Sequence, residues 1–259
     1  MAYNAGKRRE LIIKEIADTQ MVRVSELSER FDISEVSIRR DLDRLEQLGL
    51  LKRVHGGAVA MPHVALGHSH AAKVRSHIEE KERIGRAAAR MIGEGDRLIF
   101  DSGTTVLQVA HSVSGDLLES GNLTVITASL PIVRKLGSWK GVHFILLGGI
   151  YLPEYEVVVG PQTIGSLKGL HADKIFLGTD GLTFSHGVTT ANLLEAEVDQ
   201  AMVEAASEII VVADSSKIGV IGLTTIMPLE QISRLITDVG APAEFVAELR
   251  ERGVDVLLV

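Results

Sequence analysis

Apolar residues recur at helical spacing through the first part of the chain. Leu11, Ile12 and Ile16 share one side of a helix over Arg8 to Ala17, and Val24, Leu27 and Phe31 form a stripe on a second. Ile38, Leu42 and Leu45 line one side of a third that runs from Ser34 to Gly49. Asp32-Ile33 leaves only a short turn before the third helix, Ser34 is suited to cap it, and Gly49 to stop it. Leu50 to Val54 and Ala58 to Ala60 then read as two short strands around His55-Gly56-Gly57. Helix, helix, tight turn, helix and strand pair is the order of a winged helix-turn-helix.

The pattern breaks between Met61 and Ser76, where Pro62 and Gly67 interrupt it, and helical spacing resumes over Glu79 to Met91 through Ile84, Ala87, Ala88 and Met91. From Asp96 onward short apolar runs alternate with helical segments. Strands are expected at 98–100, 123–127, 142–147, 174–178, 208–213, 234–237 and 254–259, and helices at 105–112, 130–136, 161–167, 193–206 and 243–252. This alternation predicts an α/β domain with a mainly parallel sheet covered by helices and a ligand pocket at the strands' carboxyl ends. The expected division is a DNA-binding domain over 1–60, a linker over 61–77 and an effector domain over 78–259.

Composition adds three constraints. A chain of 259 residues exceeds what a small winged helix needs, so a second core of ordinary size is expected. No run of about 18 uncharged apolar residues occurs and the basic start lacks an apolar signal segment, which points to a soluble, cytoplasmic protein without a membrane partner. The absence of cysteine excludes disulfides and thiolate chemistry. The net charge of −7 divides unevenly: residues 1–60 carry +1 and the remainder −8. Acidity therefore belongs to the second domain, while Lys7-Arg8-Arg9, Arg39, Arg40, Arg44 and Lys52-Arg53 concentrate positive charge in the first.

The outward face of the third helix is the candidate DNA surface. Packing accounts for Ile38, Leu42 and Leu45, but not for Ser37, Arg40 and an outward Val36 near the N-terminus, where a major-groove helix makes its base contacts. Ser34, Glu35, Val36, Ser37, Arg39, Arg40 and Arg44, with Lys52, Arg53 and His55 of the wing, form the expected contact set for double-stranded operator DNA. In the second domain, Asp101-Ser102-Gly103-Thr104-Thr105 follows a strand and opens a helix, so its N–H groups and hydroxyls can face an anion. Thr127 and Ser129, Gly148-Gly149, Asp180-Gly181 and the segment ending in Lys217 close other strands in the same manner. Several such ends converging with a lysine favour a phosphorylated small ligand over ordinary turn chemistry. Glu195 suits either a first-turn helix dipole or the hydroxyls of a sugar. Trp139 reads as surface packing. His63, His68, His70 and His77 cluster in the linker without a carboxylate or cysteine to complete a site, so no metal and no cofactor is expected.

Together these residues resemble the DeoR family of bacterial transcriptional regulators. In the first domain the likeness rests on Arg8-Arg9-Glu10, Val24-Ser25-Glu26-Leu27, the run Ser37-Ile-Arg-Arg-Asp-Leu42, and His55-Gly-Gly-Ala58. In the second it rests on Glu80-Lys81, Asp101 to Thr105, Gly148-Gly149, Phe176-Leu-Gly178, Asp180-Gly181, Glu195 and Ala213-Asp-Ser-Ser-Lys217. The resemblance implies a sensor similar in fold to ribose-5-phosphate isomerase and an effector that is a phosphorylated sugar or sugar-derived intermediate. It places the phosphate at Ser102 to Thr105, with Lys217 at the pocket. The chain departs from the family pattern at Ser37, usually threonine, at Ala128 within a usual Thr-Asn-Ser, and at Leu152, where many members carry arginine.

Two functions fit. The favoured one is a repressor of a sugar-catabolic operon, acting as a homo-oligomer (dimer or tetramer) on a symmetric site and controlled by a phosphorylated metabolite. The alternative is a sugar-phosphate isomerase with an appended DNA-binding domain, using Asp180 or Glu195 with Lys217 as base and acid. Fold alone does not choose between them.

Overall fold

The computed structural model describes residues 5–19, 21–47, 51–60, 76–119 and 122–259. Gly49 and most of the linker segment, with His63, His68 and His70, lie outside the described residues. In the N-terminal part, α1 (Ala5–Thr19), α2 (Val24–Phe31) and α3 (Glu35–Gln47) enclose a small core of Ile12, Ile16, Leu27, Ile38 and Leu42. α2 has the predicted bounds, and α1 runs further at both ends than its apolar stripe. Asp32, at φ 50°, makes the left-handed residue that ends α2. Ser34 then accepts the Ser37 N–H through both its carbonyl, at 2.9 Å, and its hydroxyl, at 3.4 Å. The wing gains a strand that the alternation did not disclose: β1 (Met21–Arg23) pairs antiparallel with β3 (Gly57–Ala60), which pairs in turn with β2 (Leu51–Val54).

α4 (Ile78–Ala89) opens the second part, followed by β4 (Arg97–Phe100), α5 (Thr104–Ser112), α6 (Gly115–Glu119), β5 (Leu123–Thr127), α7 (Leu130–Leu136) and β6 (Val142–Leu146). After a hairpin of β7 (Ile150–Leu152) and β8 (Val157–Val159) come α8 (Pro161–Leu167) and β9 (Ala172–Leu177). A second hairpin, β10 (Gly181–Thr183) and β11 (Gly187–Thr190), leads into α9 (Leu193–Glu204) and β12 (Ala206–Val212). The chain ends with β13 (Thr224–Met227), β14 (Arg234–Thr237), α10 (Ala243–Glu251) and β15 (Asp255–Leu258).

Seven strands form one parallel sheet in the order β15-β14-β12-β9-β4-β5-β6. All seven were expected, and β5 and β14 have the predicted limits. The chain moves outward from β4 to β6, returns to the middle at β9, and moves outward the other way. The crevice beyond the carboxyl ends of β4 and β9 is therefore the switch point at which open α/β sheets bind ligands. Separate apolar layers cover the two faces. Ile84, Ala88, Val106, Val109 and Ile132 pack over one, and Val159, Leu182, Val198, Met202 and Leu249 over the other. α4 lies so close to α5 that a Cβ on Gly85 would sit 2.5 Å from the Gln108 backbone, which makes glycine a requirement there. The small sheet β10-β11-β13 is antiparallel. Its strands of three or four residues are too short to carry a readable alternation.

Candidate functional site

On α3, Ile38 and Leu42 are fully buried and Leu45 nearly so, leaving Glu35, Val36, Arg39, Arg40, Asp43, Arg44, Glu46 and Gln47 exposed. The positive charges of this domain are used in two ways. Arg39 is tied to Glu35 one turn back, at 2.6 Å. Arg53 serves as an internal brace: its guanidinium donates to the Arg39 carbonyl at 3.1 Å, to Asp43 at 2.5 Å and to the Gly57 carbonyl at 3.2 Å, while its N–H meets Glu46. Arg8 and Arg9 both face buried Asp41, Arg8 at 2.5 Å, and so fasten α1 to α3. Among the described residues Arg44 reaches only the Gln47 side chain, at 3.4 Å. Arg40 makes no hydrogen bond or ion pair among the described residues. Lys52 and His55 project from the wing into solvent. The wing is held against α2 by the bond from Val24 N–H to the Gly56 carbonyl.

The second site is an open cavity of about 540 Å³, solvent at its mouth included, at the switch point of the sheet. Asp101 ends β4 and stitches it to β9. Its backbone N–H donates to the Phe176 carbonyl, and its carboxylate accepts the N–H groups of Ser102 and of Gly178, the latter at 2.9 Å. This fixes the loop Ser102-Gly103 ahead of α5, whose first-turn residues Thr104 and Thr105 border the cavity with amides that have no intrahelical acceptor. Ser102 Oγ donates to Glu195 at 3.3 Å. Glu195 sits in the first turn of α9, where Asn192 caps the Leu194 and Glu195 N–H groups. Asp180 accepts the Thr190 hydroxyl at 3.2 Å and the Ala191 N–H at 3.0 Å. From the end of β12, Asp214 caps a 3₁₀ turn, Ser215–Lys217, that delivers half-buried Lys217 to the cavity wall. The Lys217 ammonium has no ion pair or hydrogen bond among the described residues.

Eight of the thirteen residues expected to hold an effector line this cavity: Asp101, Ser102, Gly103, Thr104, Thr105, Asp180, Glu195 and Lys217. Thr127, Ser129, Gly148, Gly149 and Gly181 are not among its lining residues. For the first four the sheet order is the reason, since β5 and β6 run outward from β4, away from β9 and β12. Thr127 spends its hydroxyl on the Phe100 carbonyl, at 2.6 Å, and accepts the Ser129 N–H. Gly149, at φ 152°, lies where a Cβ would be 2.3 Å from Thr163 Oγ1, so close packing on α8 explains that glycine. Gly181 is similarly closed in by the Val220 carbonyl. Ala128 is buried, with its carbonyl accepting Val158 N–H from β8. Leu152 lies in β7, packed partly buried against the core, as Trp139 is on the opposite layer.

Six lining residues were not assigned from the sequence, Lys81, Gly178, Thr179, Thr190, Asp199 and Ile226, and two of them, Lys81 and Asp199, are charged. Lys81 is 2% exposed and donates to the Ser76 carbonyl at 2.7 Å. Asp199 is buried one turn beyond Glu195. Burial raises its pKa well above the ordinary aspartate value. The charges of Asp101 and Glu195, a side-chain hydrogen bond with Asp101, and the charge of Asp180 act in the same direction. Both had a legible signal. Lys81 shares the core stripe of α4 with Ile84 and Ala88, and Asp199 shares that of α9 with Glu195 and Met202. A charged residue inside an apolar stripe needs a partner or a ligand.

Among the described residues no helix is long and apolar enough to cross a membrane. Residues 8–63 match the DeoR-like helix-turn-helix domain, and residues 76–239 match the DeoR C terminal sensor domain. The chain is 33% identical to a putative aga operon transcriptional repressor of Escherichia coli O157:H7, over 98% of this chain and 94% of that one. It is 34% identical to the transcriptional repressor AccR of Agrobacterium fabrum, over 93% and 92%, and 33% identical to the regulator GlpR of Haloferax volcanii, over 97% of each. Ribose 5-phosphate isomerase A of Methanocaldococcus jannaschii is similar over 55% of either chain, at 14% identity and a TM-score of 0.41. Matched along nearly its whole length, and in both its helix-turn-helix and its sensor part, the chain belongs to the DeoR family of DNA-binding transcriptional regulators.

Proposed function

We propose that this regulator represses a sugar-catabolic operon and that a phosphorylated sugar, or a closely related intermediate, controls its hold on the operator. Residues 1–60 bind DNA, 61–77 link, and 78–259 sense the effector. The protein works in the cytoplasm as a homo-oligomer and carries out no turnover. The observation that bears most weight is the opposition of the Ser102 to Thr105 loop, at the first turn of α5, to a Lys217 ammonium unengaged among the described residues. Helix-start amides at the cavity and a cation unengaged among the described residues suit a phosphate, while Asp180 and Glu195 offer acceptors to sugar hydroxyls.

In this scheme the effector prefers a sensor arrangement in which the winged helices no longer fit their operator, and its influence is limited to its differential affinity for the two arrangements. Linkage then requires operator DNA to weaken effector binding by the same factor, typically about 1–3 kcal/mol. Calorimetry with a panel of pentose and hexose phosphates, with and without operator, tests this. One phosphorylated sugar is expected to bind, its unphosphorylated form far more weakly, and Lys217→Ala to lose most of the affinity without product forming in any mixture. Full affinity in Lys217→Ala removes the phosphate site. Operator that strengthens binding reverses the sign and makes the ligand a co-repressor. Product formation abolished by Glu195→Gln would establish an enzyme instead.

A further inference from the structure

On α3, the exposed apolar side chain and the guanidinium without a partner occupy the same stripe. Val36 is 56% exposed although every other aliphatic residue described in α3 is buried, so no packing among the described residues explains it. Arg40 lies one turn later on the same face. Its neighbours are committed: Arg39 to Glu35, Arg53 to Asp43 and the helix backbone, Arg44 toward Gln47. Arg40 keeps all its donors unspent among the described residues. In a major groove these two chemistries answer different base edges. A branched apolar group meets the thymine methyl, and a guanidinium fork meets the O6 and N7 acceptors of guanine.

We infer that Val36 and Arg40 read two bases of each half-site, Val36 a thymine through its methyl group and Arg40 a guanine through O6 and N7. Four residues of α-helix rise about 6 Å and successive bases on one strand are separated by about 3.4 Å, so the two bases lie within about two steps of each other. Ser34 and Ser37, whose hydroxyls lie 3.1 Å apart, sit at the start of the same helix, where the Ser34 hydroxyl accepts the Ser37 N–H. This goes beyond operator binding as such, because it assigns base identity and spacing.

The full-length protein selects its sites from a library of randomised duplex DNA, and the preferred sequence is then rebuilt with single-atom-group changes. A thymine and a guanine at that spacing are expected in both halves. Replacing the thymine by deoxyuridine removes one methyl group and should lower affinity about fourfold for the native protein while leaving Val36→Ala unaffected. Replacing the guanine by 7-deazaguanine should lower affinity for the native protein but not further for Arg40→Ala. That variant should lose about tenfold or more on the preferred site and become indifferent to the base there. Because both base changes are made in DNA and read with native protein, misfolding of a variant does not blur the result. The assignment is overturned if deoxyuridine costs nothing at every thymine of the site. It is equally overturned if Arg40→Ala weakens all sequences alike and lessens the salt dependence, the mark of a phosphate contact.

Discussion

At the scale of single residues, Asp199 is the most consequential group that the sequence reading passed over. It is 6% exposed, and Asp101, Glu195 and Asp180 surround it while Lys81 and Lys217 complete the charged lining of the cavity. Burial and these carboxylates raise its pKa. The folded protein therefore binds one proton more than the unfolded chain between the ordinary aspartate value and the raised one. Stability contributed by the protonated carboxyl is complete below that interval and declines as pH rises through it. Asp199→Asn, which resembles the protonated form, should flatten this part of the curve, so that the variant gains on the native protein as pH increases. Thermal unfolding of both proteins across a pH series measures it. Parallel curves would mean that Asp199 titrates alike in the folded and unfolded states.

At the scale of elements, α1 and α3 are joined by more than their apolar stripes. Asp41 lies buried under Arg8 and Arg9, so two arginines of a basic cluster are spent on architecture. Removing the carboxylate takes a buried ion-pair partner from the Arg8 guanidinium, whose side chain is 12% exposed. Asp41→Ala should destabilise the helix-turn-helix by about 3 kcal/mol, read as a lower urea midpoint for residues 1–60 with the transition of the sensor part unchanged. An unshifted midpoint would mean that the pair contributes nothing. The same contact shows what could be read from the chain. The stripes of α1, α2 and α3 come from local periodicity, and so do the seven strands of the parallel sheet. Which charges remain for a ligand depends on pairings such as Arg53 with Asp43 and Arg8 with Asp41, made by residues far apart in sequence. In the cavity, the loop Asp101 to Thr105 was legible because strand, glycine and helix start are consecutive. Thr127 and Gly149 fall outside the cavity lining because strand order, which carries β5 and β6 away from the crevice, is not encoded in any one segment. The brief strands β10, β11 and β13, which bring Thr190 and Ile226 to the wall, leave too little pattern to find.

At the scale of the whole molecule, one winged helix offers one recognition helix, which covers a half-site. If the sensor part joins copies of the chain, the second half-site is met at an effective concentration set by that linkage. Residues 1–60 alone should therefore bind operator at least about a hundredfold more weakly than the full chain, and with little preference for paired half-sites. Titrations of both proteins on the same duplex at one salt concentration decide this. Equal affinities would show that joining copies adds nothing to recognition.

The position of Lys81 has a consequence for how such a molecule can transmit a signal. Lys81 lines the cavity, and its ammonium holds the carbonyl of Ser76, where the described sensor chain begins. An oxyanion entering the cavity competes with that carbonyl for the same three protons. If an effector binds there as proposed, what is loosened or tightened is the hold on the Ser76 carbonyl at the start of the described sensor chain, and the exchange turns on one side chain.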